Sequence, residues 1–297
     1  MNKITSYLED AKQLVNAHLL TLIDKLQAPK ILMEAMRYSL SAGGKRIRPI
    51  LLLATLEAFE ENREKGLDVA CAIEMLHTYS LIHDDLPAMD NDDYRRGKPT
   101  NHKVFGEANA ILAGDALLTY SFEIISSIPE REEVTPDMKL ELIRRLAQAA
   151  GPEGMVGGQV EDLRNENNPN LSLQELENIH YNKTGKLIIY SIIAGAILAK
   201  AGEEKINLLE KFAYHLGIAF QIQDDILDVI GDSEKTGKPT GSDSVKEKST
   251  YPKLLTMEGA KEKLNEHFEQ ALFYLEKANI HDEILKGIAL YVVKREN

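Results

Sequence analysis

The chain has 297 residues, 43% of them apolar and 28% charged, with 19 Gly and 10 Pro. That balance excludes a disordered or low-complexity protein and leaves enough apolar material for a sizeable core. Acidic residues exceed basic ones by 12, which excludes the concentrated basic face expected of a nucleic-acid binder.

Apolar residues recur at helical spacing over residues 4–26, 31–40, 50–59, 69–82, 108–128 and 138–149. The pattern continues over 155–163, 173–199, 206–229, 251–257, 260–278 and 283–293. Sustained strand-like alternation is absent, so the spacing predicts an all-α protein. Thr135 with Pro136, and Ser172 with Glu175, predict capped helix starts, the second a Ser-x-x-Glu capping box. No linker, low-complexity tract or fixed-period repeat divides the chain, so a single domain over residues 1–297 is expected. The single cysteine, Cys71, lies inside an apolar pattern and reads as a small core side chain. The polar, acidic start MNKITSYLED is unlike a signal peptide, and the most apolar run, residues 187–199, is shorter than the roughly 20 residues that cross a bilayer. A cytoplasmic protein without a membrane span is the expectation.

Chemistry concentrates in a few short stretches. GGKRIRP, residues 43–49, sets Lys45, Arg46 and Arg48 on a Gly-rich connection before a helix, where cationic side chains and backbone donors meet phosphate oxygens. HDDLPAMDNDDYRR, residues 83–96, crowds Asp84, Asp85, Asp90, Asp92 and Asp93 ahead of Arg95 and Arg96. Like charges this dense need solvent or a cation. Asp84 and Asp90 are six apart with Pro87 between them, so a regular helix does not align them; a bulge or early helix end around residues 86–89 is expected to swing Asp90 back toward Asp84. Asn91, Asp92 and Asp93 read as turn residues. NKTGK brings Lys183, Thr184 and Lys186. In QIQDDILD, residues 221–228, Asp224 and Asp228 share a helix face, and Gln221 lies one turn earlier. Such an all-oxygen stripe suits a hard cation such as Mg²⁺ that keeps waters and phosphate oxygens in its other positions. Residues 231–249 form a Gly/Ser/Lys-rich loop able to fold over an anion. His77, seven residues before Asp84, is on nearly the same helix face and by itself reads as a core or rim residue more often than a ligand. No Ser-His-Asp or Cys-His arrangement stands out.

Together these stretches resemble the trans-prenyl diphosphate synthases, most closely the bacterial farnesyl diphosphate synthases, from about residue 40 onward. DDLPAMD is similar to the family's first aspartate-rich motif in its longer form and DDILD to the second; GGKRIRP, RRGKPTNHK, GGQVEDL and KTGKL correspond as well. The resemblance implies an isoprenoid synthase helical bundle around a deep central cavity, commonly a homodimer. It implies Mg²⁺, up to three ions with Mn²⁺ possible, on Asp84, Asp85, Asp90, Asp224, Asp225 and Asp228. Arg95, Lys183, Thr184, Gln221, Lys238 and Lys248 then serve the allylic diphosphate, and Lys45, Arg48, His77 and Arg96 serve isopentenyl diphosphate. The implied activity is head-to-tail condensation of isopentenyl diphosphate with dimethylallyl and then geranyl diphosphate. Catalysis would centre on Asp84, Asp90, Lys183, Asp224 and Asp228. Tyr79, five residues before Asp84, matches the family's aromatic floor for product length, although Ser80 is the residue one turn beneath Asp84 on the same face. A geranylgeranyl diphosphate synthase shares nearly every motif. A terpene cyclase has no use for the Lys45, Arg48 and Arg96 set, and a non-catalytic regulatory subunit would be expected to have lost aspartates that are complete here.

Overall fold

A computed structural model describes residues 2–129, 133–166, 168–230 and 249–295. The architecture is an all-α bundle, in element order α1 (Asn2–Asp24), α2 (Lys30–Leu40), α3 (Ile47–Ala58), α4 (Leu67–Asp84), α5 (Asn101–Phe105), α6 (Glu107–Ser126), α7 (Pro136–Ala150), α8 (Met155–Arg164), α9 (Leu173–His180), α10 (Lys186–Leu198), α11 (Glu203–Ile230), α12 (Tyr251–Lys277) and α13 (Glu283–Lys294). The outer helix α1 buries Ala11, Val15, Leu19, Leu22 and Ile23, a stripe at helical spacing that faces the core. By contrast α4 buries residues on every side, from Leu67 through Cys71 to Ile82, and α10 does the same. A helix apolar all round belongs in the interior. Accordingly α4 packs among α1, α3 and α6, and α10 packs against α3, α7 and α11. Cys71 is fully buried, and burial pushes its thiol well above the usual range. No described helix is long and apolar enough to cross a membrane.

The expected caps form. Thr135 Oγ1 accepts from the Met138 N–H at 3.3 Å, and Ser172 and Glu175 complete a reciprocal capping box. Residues 173–199, read as one helix, are interrupted by a π turn at Tyr181–Gly185, the kind of local bulge that proteins place at functional positions. Gly158 of α8 makes room for this turn, because a Cβ there would lie 2.3 Å from the Lys183 backbone nitrogen. The expected division between residues 251–257 and 260–278 is realised as a kink, with Thr256 at φ 71° inside α12. Two features escape the periodicity argument. One is the short helix α5. The other is an antiparallel hairpin pairing β1 (Tyr94–Arg95) with β2 (Lys98–Pro99), too short to show alternation. Its two turn residues, Arg96 and Gly97, have φ of 53° and 74°, the positive pair that a tight two-residue hairpin requires.

Candidate functional site

The first acidic stretch begins where α4 ends. Asp85 closes the helix with its N–H on Leu81 O, and the Asp90 N–H then donates to Asp84 O at 2.8 Å. The chain therefore folds back over Pro87 as the spacing required, with Asn91 taking the reversal at φ 52°. Asp84 is half-buried. Burial raises its carboxyl above the usual range; Asp90 and Asp85 raise it further, while Lys183 and Arg95 oppose them. A desolvated carboxyl beside two others is a place where a cation is favourable.

Asp85 differs from the expectation that it binds metal with Asp84. It is buried, and its oxygens accept Arg95 Nε at 2.8 and 2.9 Å and Nη2 at 2.5 Å. A forked pair of this kind fixes orientation. Asp85 therefore holds Arg95, and Nη1 is the guanidinium nitrogen left to offer a phosphate.

Arg46, Arg48, Arg95 and Arg96 surround His77 of α4. Burial first, then these four cations, keep the imidazole well below its usual pKa, so His77 is neutral. The cluster draws on three separate segments. Arg96, at the hairpin tip, donates to Gly43 O and lies against Gly44, where a Cβ would be 2.6 Å from Nη1. Only glycine permits that approach at φ +121°. Burial lowers Arg96 to about 10, leaving it charged at neutral pH. Arg48, in the first turn of α3, has a buried Nε with no hydrogen-bond partner. Such an orphaned donor asks for an acceptor. Lys45 is lowered to about 8 by partial burial and by Arg295, against the pull of Asp224.

Arg46, grouped by sequence with Lys45 and Arg48 on a phosphate-facing loop, turns the other way. It adopts φ 54° before α3 and buries its guanidinium on Glu74, Leu40 O and Asn16 Oδ1. Left-handed backbone re-aims its side chain inward, which a periodic reading does not register.

On α11, Asp224 and Asp228 share one face, and half-buried Gln221 lies a turn before them. Asp225 does not join them. It is buried, and its Oδ2 accepts the Tyr251 N–H at 2.9 Å at the start of α12. That is the work of a capping carboxylate, a role that the expected ligand set did not include. Lys183, in the π turn, donates to Asp162 Oδ2 at 2.7 Å and is the strongest charge acting on Asp84. Thr184 is buried beside it. Lys238 and Lys248 lie outside the described residues. Tyr79 is buried, with its ring edge-on to His83 at 5.5 Å, and Ser80 Oγ donates to His77 O within its own helix.

Two partners were not named from sequence, Glu74 and Asp162; a third, Arg295, lies in the C-terminal YVVKREN, which resembles the family's basic tail, and neither it nor Lys294 was assigned to the site. Arg295, just beyond α13, pairs with Asp224 and covers the Phe220 ring with its guanidinium carbon 3.9 Å from the centroid. Asp162 had a signal in GGQVEDL and Arg295 in the basic tail YVVKREN; Glu74, an acid inside an apolar helix, had none.

Arg48 lies within electrostatic reach of both Asp224 of α11 and His77 of α4. Among the described residues no three His, Cys, Asp or Glu side chains converge to hold a metal ion by themselves. The donor set nevertheless fits Mg²⁺, which takes one or two carboxylates and fills its remaining positions with water and substrate phosphate. Asp84 and Asp90 after α4, and Asp224 and Asp228 on α11, are such sparse pairs.

Residues 29–286 match the family model described as polyprenyl synthetase. The chain is 55% identical to the farnesyl diphosphate synthase of Geobacillus stearothermophilus, over 99% of this chain and 98% of that protein. It is 51% identical to the farnesyl diphosphate synthase of Bacillus subtilis strain 168, over 100% and 99%. Among solved structures, an FPP/GFPP synthase from Zymomonas mobilis in its apo form superposes with a TM-score of 0.85 at 38% identity, covering 98% of this chain and 99% of that one.

Proposed function

Because this chain belongs to the polyprenyl synthetase family, we propose that it is a farnesyl diphosphate synthase, condensing isopentenyl diphosphate first with dimethylallyl and then with geranyl diphosphate. The observation that carries the reading is the doubled charge pattern: a cationic cluster of Arg48, Arg95 and Arg96 around neutral His77, beside acidic pairs that need cations. One diphosphate sits directly on the basic groups. The other would be held through Mg²⁺, for which Asp84, Asp90, Asp224 and Asp228 would be the protein ligands and which would supply neutralisation of the leaving diphosphate.

In this reading the chain's own groups do the following. Arg95, fixed by Asp85, and Lys183, fixed by Asp162, hold the allylic diphosphate with Thr184 and Gln221 beside it. As the allylic C–O bond breaks, its electron pair leaves with the diphosphate, and these cations stabilise the charge that develops there. Lys45, Arg48 and Arg96 hold isopentenyl diphosphate so that its double bond adds to the allylic carbocation. The new C–C bond forms, and a proton is then lost to the departed pyrophosphate. His77, neutral, serves as a hydrogen-bond donor rather than a charge. An apolar interior made by α4 and α10 keeps water from the cation. Tyr79 belongs to that interior and is proposed as the floor that stops growth at fifteen carbons; a homodimer accompanies the reading.

Incubation with Mg²⁺, isopentenyl diphosphate and dimethylallyl diphosphate, followed by chromatography of the prenyl products, tests this. A fifteen-carbon product supports it, a twenty-carbon product assigns the chain to geranylgeranyl diphosphate synthesis, and no condensation overturns it.

A further inference from the structure

Arg295 is an unusual charge among the described residues. Its side chain is only 2% exposed although it stands past the last helix, while its partner Asp224 is 47% exposed. Four contacts hold it in place: the ion pair to Asp224, Nη2 on Phe220 O at 3.0 Å, its own carbonyl receiving Gln223 Nε2 at 2.9 Å, and the Phe220 ring under its guanidinium. Every one of these comes from α11, within one turn of Asp224. Lys45 is repelled by the same arginine and drawn by the same aspartate, so two cations of the protein converge on one carboxylate.

We propose that Arg295 is a stand-in cation for Asp224: it occupies the carboxylate in the free protein and must yield it when a metal–diphosphate arrives, so that it sets how readily the α11 face loads. The inference rests on the reading of Asp224 as a cation ligand given above. The physical reason is competition. A carboxylate oxygen already engaged by a desolvated guanidinium is a poorer ligand for a divalent ion, by the free energy of that contact. Released, the guanidinium remains tethered through Gln223 and Phe220 a few ångströms from the incoming phosphates, where its fork again finds oxygen acceptors. Arg295 thus acts as a positioning residue whose removal changes loading.

The test is Mn²⁺ binding to the full-length protein with inorganic pyrophosphate at saturation, followed by Mn²⁺ paramagnetic resonance, for wild type, Arg295→Gln, Arg295→Lys and Asp224→Asn. Circular dichroism establishes that each variant is folded. Arg295→Gln is expected to bind Mn²⁺ about fivefold more tightly, as for loss of one partly exposed ion pair. Arg295→Lys, charged but without the fork, should fall between it and wild type, and Asp224→Asn should bind more weakly than wild type. If Asp224→Asn binds weakly but Arg295→Gln binds no better than wild type, or Arg295→Lys binds more tightly than Arg295→Gln, the stand-in role is overturned and the functional reading survives. Should Asp224→Asn bind as wild type does, the α11 face is not the cation bed, and both fall together.

Discussion

Glu74→Gln is the most informative perturbation beneath the site. Glu74 is the buried carboxylate to which Arg46 is paired, with side chains 3% and 1% exposed, and it also opposes the burial of Arg48 and Arg96. The amide of glutamine keeps an oxygen for Arg46 but removes the charge, leaving a guanidinium desolvated without a counter-ion. Breaking a buried pair from one side costs about 3–5 kcal/mol. With an unfolding entropy of roughly 2.1 cal/mol/K per residue, a chain of this length loses about 1.6 °C of Tm for each kcal/mol, so the variant should melt about 5–8 °C lower. Arg46→Lys should fall by a similar amount, since one ammonium on a flexible stem does not reach Glu74, Leu40 O and Asn16 together in the geometry of a guanidinium. Differential scanning calorimetry measures both. A Glu74→Gln midpoint within about 1 °C of wild type would refute the claim that the buried Arg46–Glu74 pair holds this part of the fold together.

Two further outcomes follow from the same geometry. Lys45, lowered to about 8, is cationic below that pH and neutral above it, so kcat/KM for isopentenyl diphosphate should decline as pH rises through about 8. Lys45→Arg should move that limb above pH 10, and a wild-type profile flat to about pH 9.5 would count against the assignment. Tyr79→Ala opens the buried position beside His83 and should shift the product from fifteen toward twenty carbons; an unchanged product would remove Tyr79 as the floor.

The residues that were legible in the sequence are those whose role is set by local geometry. The capping box at Ser172, the fold-back of Asp90 and the shared face of Asp224 and Asp228 all follow from helix spacing and from Pro87. What was not legible depends on tertiary partners. Asp85 and Asp225 look like their neighbours in DD pairs, yet each is diverted, one by Arg95 from a hairpin and the other by the N-terminus of α12. Arg46 is reversed by a left-handed backbone, and Arg295 matters only because α13 ends beside α11. For Asp85, Asp225 and Arg295 a tertiary contact, and for Arg46 its own backbone conformation, decides where the charge points.

The central claim is that the acidic pairs of α4 and α11 act as one unit on a single diphosphate. The direct measurement is kcat for Asp84→Asn, Asp224→Asn and the double variant, each with helical content checked. Groups that serve one transition state are not additive, so each single change should lower kcat by about a hundred- to a thousandfold, with little further loss in the double. Either single variant retaining turnover within about tenfold of wild type, or losses that multiply in the double, would contradict the account.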